Sequence, residues 1–294
     1  MRILYVTNAM PPQGCGVASF GKQQIEALRK AGCDVTEWTS WPPVYLPDNA
    51  SEFDIIHLNW MPLTLGHIQA QHLPKGPLLS GHIHEYSSSW EKEHPPIFDC
   101  LQVKFSSEPV PFDPNVIWWQ IPVPDYVPQS YPHESFDPQR GVWNVLVGHT
   151  GLRGDGLDRI GPACEKNGWQ LSTSKDAGKW LPLEEEIERL AKCHVVVVQN
   201  HGGYSGQASA VSTAIASRRP VVINSGRMLS CIKRINEEEY GGGEIYCIED
   251  AEEAVRTVLE EIREGREKRP FRLAEDYSWT NQTKKLIKEW EKHL

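Results

Sequence analysis

Two imidazoles and a carboxylate stand together in Gly81-His82-Ile83-His84-Glu85. In an extended run, alternation places His82 and His84 on one face of a sheet. Such a pair can ligate a metal, and His84 with Glu85 can do acid–base work; capping a strand end is the plain alternative. A metal centre needs further ligands, and no second spaced cluster of His, Asp or Cys follows, so no metal is expected. Three other stretches mix glycine with groups that suit an anion. In Pro11-Pro12-Gln13-Gly14-Cys15-Gly16-Val17, Gly14 and Gly16 let backbone approach a ligand ahead of a helix start, or merely redirect the chain. Val147-Gly148-His149-Thr150-Gly151-Leu152-Arg153-Gly154-Asp155-Gly156 holds one guanidinium fork of the kind that grips a diphosphate, or is an ordinary loop. His201-Gly202-Gly203-Tyr204-Ser205-Gly206-Gln207-Ala208-Ser209 opens a small-residue helix. Its free amides, with the hydroxyl of Ser205 or Ser209, form a phosphate cradle; close packing without ligand is the alternative.

The elements that must position these groups alternate short β-branched runs with amphipathic segments, the pattern of parallel sheets with crossover helices. Strands are expected over residues 2–7, 34–39, 54–59, 77–84, 102–106 and 115–121, with a helix over 17–31 that stops at Gly32. Prolines at 122, 124, 128, 132 and 138 then rule out helix or central strand and mark a linker. The series restarts with strands over 143–147, 169–172, 194–199, 220–224 and 244–248. Helices are expected over 156–167, 183–192, 206–217, 251–265 and 281–292. Gly241-Gly242-Gly243 reads as a mobile loop and residues 237–239 as a solvated acidic face. Domains are therefore expected over 1–138, 139–276 and a terminal helical segment 277–294. Ligands of such sheets bind beyond the carboxyl ends of the strands, where the glycine-bearing stretches fall.

Bulk composition narrows the classes. A chain of 294 residues with 39% hydrophobic and 23% charged residues has the balance of a folded protein. Its longest apolar runs are too short to span a bilayer, and the apolar start reads as a strand rather than a signal peptide. Seven scattered cysteines without a Cys-x-x-Cys pair suggest reduced thiols and a cytoplasmic home. Net charge is −9, and residues 1–138 hold 7 Lys and Arg against 15 Asp and Glu. That half has no electrostatic footprint for a long nucleic-acid backbone.

In order along nearly the whole chain, these pieces resemble the family-four retaining glycosyltransferases. The matching pieces are the first strand with Gly14-Cys15-Gly16-Val17, Phe53-Asp54-Ile55-Ile56-His57, the strand ending in His84-Glu85 and Ile121-Pro122-Val123-Pro124-Asp125. The Arg153 loop, Gly156-Leu157-Asp158, Pro220-Val221-Val222 and Tyr277-Ser278-Trp279 continue the series. The resemblance implies an α/β GT-B fold: two doubly wound, Rossmann-like domains facing across a cleft, with a C-terminal helix crossing back to the first. It implies sugar transfer from a nucleotide-sugar, UDP- or GDP-linked, with retention and without metal or other cofactor. The donor would lie on the second domain, its diphosphate meeting Arg153 and the amides of Gly206, Gln207 and Ala208, with Tyr204, Ser205 and Ser209 alongside. Gly14 and Gly16 would approach from the first domain, and His84 and Glu85 would stand near the sugar. The family's Glu-x7-Glu pair falls on Ser205 and Thr213, and its Arg-then-Lys pair on His149 and the Arg153 region, leaving one certain cation. Acceptors left open are a saccharide, a small molecule or a lipid-linked sugar, with a modified nucleic-acid base disfavoured by charge. A non-catalytic nucleotide- or sugar-binding relative and a metal-dependent hydrolase built on His82 and His84 are the competing functions.

Overall fold

The computed structural model describes residues 1–8, 16–40, 45–61, 65–84, 95–106, 113–119, 122–129, 145–149, 157–173, 181–199, 209–225 and 229–294. Apolar runs at the start of the chain form β1 (Arg2–Asn8), followed by α1 (Gly16–Lys30) and β2 (Asp34–Ser40). Gly32 ends α1 at φ 86°, a left-handed backbone that glycine adopts without strain, and the Cys33 amide bonds back to Leu28 at 3.1 Å. Then come β3 (Ile55–Trp60), β4 (Leu78–Ile83), α2 (Ile97–Cys100), β5 (Val103–Ser106) and β6 (Val116–Trp118). The six strands pair in the order β2-β1-β3-β4-β5-β6, every neighbour parallel. Both faces are covered: Ile3, Tyr5, Ile25 and Leu28 pack on one side, and Leu4, Val6, Ile56, Leu58, Trp60 and Phe98 on the other. Burial on both faces is why β3 and β4 do not alternate between buried and exposed residues.

The second series is β7 (Leu146–His149), α3 (Leu157–Asn167), β8 (Gln170–Thr173), α4 (Leu183–Ala191), β9 (Val195–Val198), α5 (Ser209–Ala216) and β10 (Val221–Ile223). It continues with α6 (Ser230–Tyr240), β11 (Tyr246–Cys247), α7 (Ala251–Arg263) and α8 (Phe271–Asp276). Its parallel sheet has the order β11-β10-β9-β7-β8, so the topology reverses between β7 and β9. The helix α6 was not expected from sequence, and it gives the glycine triplet a definite job. Gly241 and Gly242 take φ of 58° and 74°, and the Gly242 amide bonds to the Asn236 carbonyl at 2.7 Å, so they stop a helix rather than form a plain loop. The buried Asn236 side chain accepts from the Glu244 and Ile245 amides at 3.0 and 3.1 Å, steering the chain into β11.

The chain divides into two compact units, residues 1–120 with 279–294, and residues 121–278. The described part of the proline-rich segment belongs to the second unit. Val123 donates to the Tyr277 carbonyl at 2.7 Å, and Glu188 accepts from the Tyr126 hydroxyl at 2.6 Å and the Gln129 amide at 2.7 Å. The last helix, α9 (Trp279–Glu291), belongs to the first unit. Leu286 and Trp290, four residues apart on one face, enter the core against Ile3 and Tyr5. The Trp290 indole N–H also donates to the Ser80 hydroxyl at 2.9 Å. Trp290→Ala should cost about 3–5 kcal/mol, because a fully buried ring leaves a cavity and Ser80 loses a donor; urea unfolding of both proteins measures the difference.

Candidate active site

Parallel pairing brings the carboxyl ends of β1 to β6 to one edge, and His84 follows the last residue of β4 at that edge. Its ring is fixed by Asn59 of β3, whose amide oxygen lies 2.5 Å from His84 Nε2. The orientation of that amide is settled by its other end: Asn59 Nδ2 donates to the Val17 carbonyl at 2.9 Å, an obligate acceptor, and to Thr7 Oγ1 at 3.4 Å. With Oδ1 facing the imidazole, Nε2 must carry the proton and Nδ1 keeps its lone pair. Asn59 thus ties the carboxyl ends of β1, β3 and β4 to the first turn of α1. Close approach of α1 depends on Gly21, where a Cβ would fall 2.6 Å from Asn59 Nδ2 and 3.1 Å from Thr7 Oγ1. Neither Asn59 nor Gly21 was picked out from the sequence. The available signal was a polar residue inside the apolar Ile55-Ile56-His57-Leu58-Asn59-Trp60 run.

Beneath His84 lies a row of buried, uncharged polar groups. His82 stacks on His84 with centroids 4.7 Å apart and planes at 26°, and Phe20 packs against both rings at 4.6 and 4.7 Å. Deeper in the sheet, His57 Nδ1 lies 3.1 Å from the Ser80 hydroxyl, the same oxygen that receives Trp290. Burial lowers His57 to about 3, helped by the nearby His84, and pushes His82 well below its ordinary value. Burial lowers His84 to about 3 as well. An imidazole held neutral in this way accepts a hydrogen bond from a hydroxyl through Nδ1 but carries a proton poorly near pH 7. Stacked rings face one another instead of converging on a common point. Among the described residues no group of three or more His, Cys, Asp or Glu could hold a metal.

In the second unit, His149 ends β7 and is buried, while Ser209 begins α5 and is exposed. Thr213, one turn on, is buried, and its hydroxyl donates to the Ser209 carbonyl at 3.2 Å. These three are the donor-side candidates the structure describes. Gly16 is the first residue of α1. Gly14, Glu85, Arg153, Tyr204, Ser205, Gly206, Gln207 and Ala208 lie outside the described residues. Two side chains missed from the sequence shape this edge. Arg189 donates to the carbonyls of His149 and Ser172 at 2.9 and 2.8 Å while Glu186 grips it, locking the ends of β7 and β8 together. Gln199, just past β9 at the point of topological reversal, donates to the Glu249 carbonyl at 3.0 Å, and its buried Oε1 has no partner among the described residues.

No protein-family model matches the chain, and no curated protein sequence does either. Solved structures match it over nearly its whole length. An alpha-glucosyltransferase in complex with UDP and a 13-mer DNA containing a central A:G mismatch superposes at a TM-score of 0.65 with 13% identity, covering 99% of this chain and 100% of the other. Anabaena HepE in complex with UDP-glucose gives 0.63 and 12%, with the same coverage. AviGT4, a glycosyltransferase involved in avilamycin A biosynthesis, gives 0.55 and 15%, covering 99% and 97%. The fold is GT-B.

In this GT-B chain the described cysteines are all free, and no helix among the described residues is long and apolar enough to cross a membrane. The neutral histidines set a pH dependence. Native His57 and His82 stay unprotonated while the unfolded chain takes up protons below about pH 6.5, so stability is full above that value and falls as pH drops toward 3. Each buried histidine should cost about 1.4 kcal/mol per pH unit in that window. Urea unfolding at stepped pH should show this slope, and His82→Phe, which supplies a ring without orphaned nitrogens, should flatten it by one proton. Gly21→Ala should destabilise by about 1–3 kcal/mol through overpacking against Asn59; a melting point equal to wild type would show that α1 can shift away.

Proposed function

We propose that this chain is a glycosyltransferase that moves a sugar from a UDP- or GDP-linked donor to an acceptor hydroxyl. The observation that carries the reading is the match of both sheets, over nearly the full length of each chain, to GT-B enzymes solved with UDP or UDP-glucose. The residues at the carboxyl edges agree with it chemically. The first unit, residues 1–120 with 279–294, takes the acceptor side and the second, residues 121–278, the donor side. Donor contacts fall to Arg153, Tyr204, Ser205, Gly206, Gln207, Ala208 and Ser209, with His149 and Thr213 beside them and Gly14 and Gly16 approaching from the first domain. A cytoplasmic home fits the free thiols.

Transfer proceeds with retention and without metal. The departing diphosphate is stabilised by Arg153 and the amides at the start of α5, the electrostatic form of catalysis. As its bond to the anomeric carbon lengthens, its oxygen takes the proton of the incoming acceptor hydroxyl on the same face. That scheme asks for no strong protein base, which suits an imidazole whose pKa is lowered to about 3. His84 instead holds a sugar hydroxyl through Nδ1, oriented by Asn59, with Glu85 next to it in the chain.

A thermal-shift panel of UDP, GDP, ADP and CMP with their sugars, with and without divalent metal, tests the class. Selective stabilisation by UDP or GDP without metal is the expected result. No shift with any nucleotide, or a shift with zinc alone, would remove the transferase reading; nucleotide binding without turnover would mark a non-catalytic relative. Arg153→Ala should weaken nucleotide-sugar binding by about 1.5–3 kcal/mol if it holds the diphosphate charge. His84→Ala should lower kcat more than donor affinity, and the wild-type rate should stay flat between pH 5 and 8 because His84 does not titrate there.

A further inference from the structure

A second constellation lies beyond β2, on the face of the first sheet that carries Leu4, Val6 and Trp60. Tyr45 is 42% exposed. Its backbone is pinned, because the Trp38 indole N–H donates to the Tyr45 carbonyl at 2.7 Å and the Ser40 hydroxyl lies 3.4 Å from the same oxygen. Its ring packs against His72 at 4.2 Å with the planes tilted by 39°, and lies 5.7 Å from His67, whose Nε2 is 2.9 Å from Ser40 Oγ. The His72 tautomer is fixed too. Its Nδ1 accepts the Gln69 amide at 3.0 Å, so Nε2 carries a proton, and that N–H has no partner among the described residues. Beside it, Gln71 donates to the Gln69 side chain at 2.7 Å, and both amides are exposed. By contrast the exposed ring of Phe271 has the Arg218 guanidinium over it at 5.9 Å. Among the described residues no cation lies over the Tyr45 ring.

An aromatic face with planar donors and acceptors at its rim suits a sugar ring. The C–H bonds of the sugar face meet the negative face of the aromatic ring, and imidazole and amide groups pair with the hydroxyls around it. Charge separates this ligand from a phosphate-bearing one. Residues 31–74 contain no Lys or Arg, while Asp48, Glu52 and Asp54 lie among them, so nothing there neutralises a polyanion.

We propose that Tyr45, His72 and Gln71 form a subsite for a neutral saccharide, separate from the strand end that carries His84. The subsite is tested without turnover, by saturation-transfer NMR of maltotriose, cellotriose and chitotriose with the full chain. At least one trisaccharide should bind the wild type. Tyr45→Ala should weaken it about tenfold or more, and Tyr45→Phe, which keeps the ring, should restore binding. The proposal is overturned if none of the three binds, if Tyr45→Ala binds like wild type, or if a 13-mer duplex DNA binds and the saccharides do not. A UDP melting shift on the same samples separates the two readings. Saccharide binding without a UDP shift would sink the transferase and leave the platform, and a UDP shift without saccharide binding would sink the platform alone.

Discussion

Asn59 is the buried residue on which the arrangement of the first unit turns. One side chain with two donors and one acceptor joins three segments that are far apart in sequence: Val17 at the start of α1, Thr7 at the end of β1, and His84 past β4. A buried amide left unpaired costs as much as a lost hydrogen bond or more, so these three segments must meet in one geometry or the site is penalised. The same pairing sets the protonation of His84. Since the Val17 carbonyl can only accept, the amide oxygen has one orientation, and the imidazole is left with a lone pair on Nδ1. Gly21 lets this happen by keeping the helix close enough for the amide to reach.

The neutrality of that imidazole is a property of the whole layer between the sheet and the helices that cover it. Phe20 from α1 and Trp279 and Trp290 from α9 exclude water from one face of β3 and β4. Trp290 and His57 share the Ser80 hydroxyl, yet His57 Nε2 and both ring nitrogens of His82 have no partner among the described residues. Orphaned polar atoms of this kind are a stability cost that an apolar core would avoid. What the layer supplies in return is a strand end carrying an uncharged hydrogen-bond acceptor, chemistry that suits holding a sugar hydroxyl better than shuttling protons.

The second unit solves the same positioning problem with a charge. Arg189 spends its fork on backbone carbonyls at the ends of β7 and β8 and on Glu186, so this guanidinium serves as a strut. Gly148 has a comparable structural reason: a Cβ there would lie 2.9 Å from Cys193 Sγ, and its absence lets α4 lie flat on β7. Two features of the Gly148-His149 region that resemble ligand-binding signals in sequence are thus partly explained by packing.

The sequence determined the layout on its own. Apolar runs of strand length, amphipathic stretches between them and Gly32 as a helix stop are local signals, and a local signal needs no tertiary contact to be read. Placement of His82 and His84 on one face follows from the two-residue period of a strand for the same reason. Helix α6 was not expected although its buried residues Cys231, Ile232, Ile235 and Asn236 recur at helical spacing; that stripe is short and is followed by the exposed acidic residues 237–239. The tertiary structure alone decided which groups meet: Asn59 with His84 across 25 residues, Trp290 with Ser80 across 210, and Tyr45 with His72. Strand order and register set those meetings, and both arise from the burial of two sheet faces at once, a global condition that no window of sequence contains.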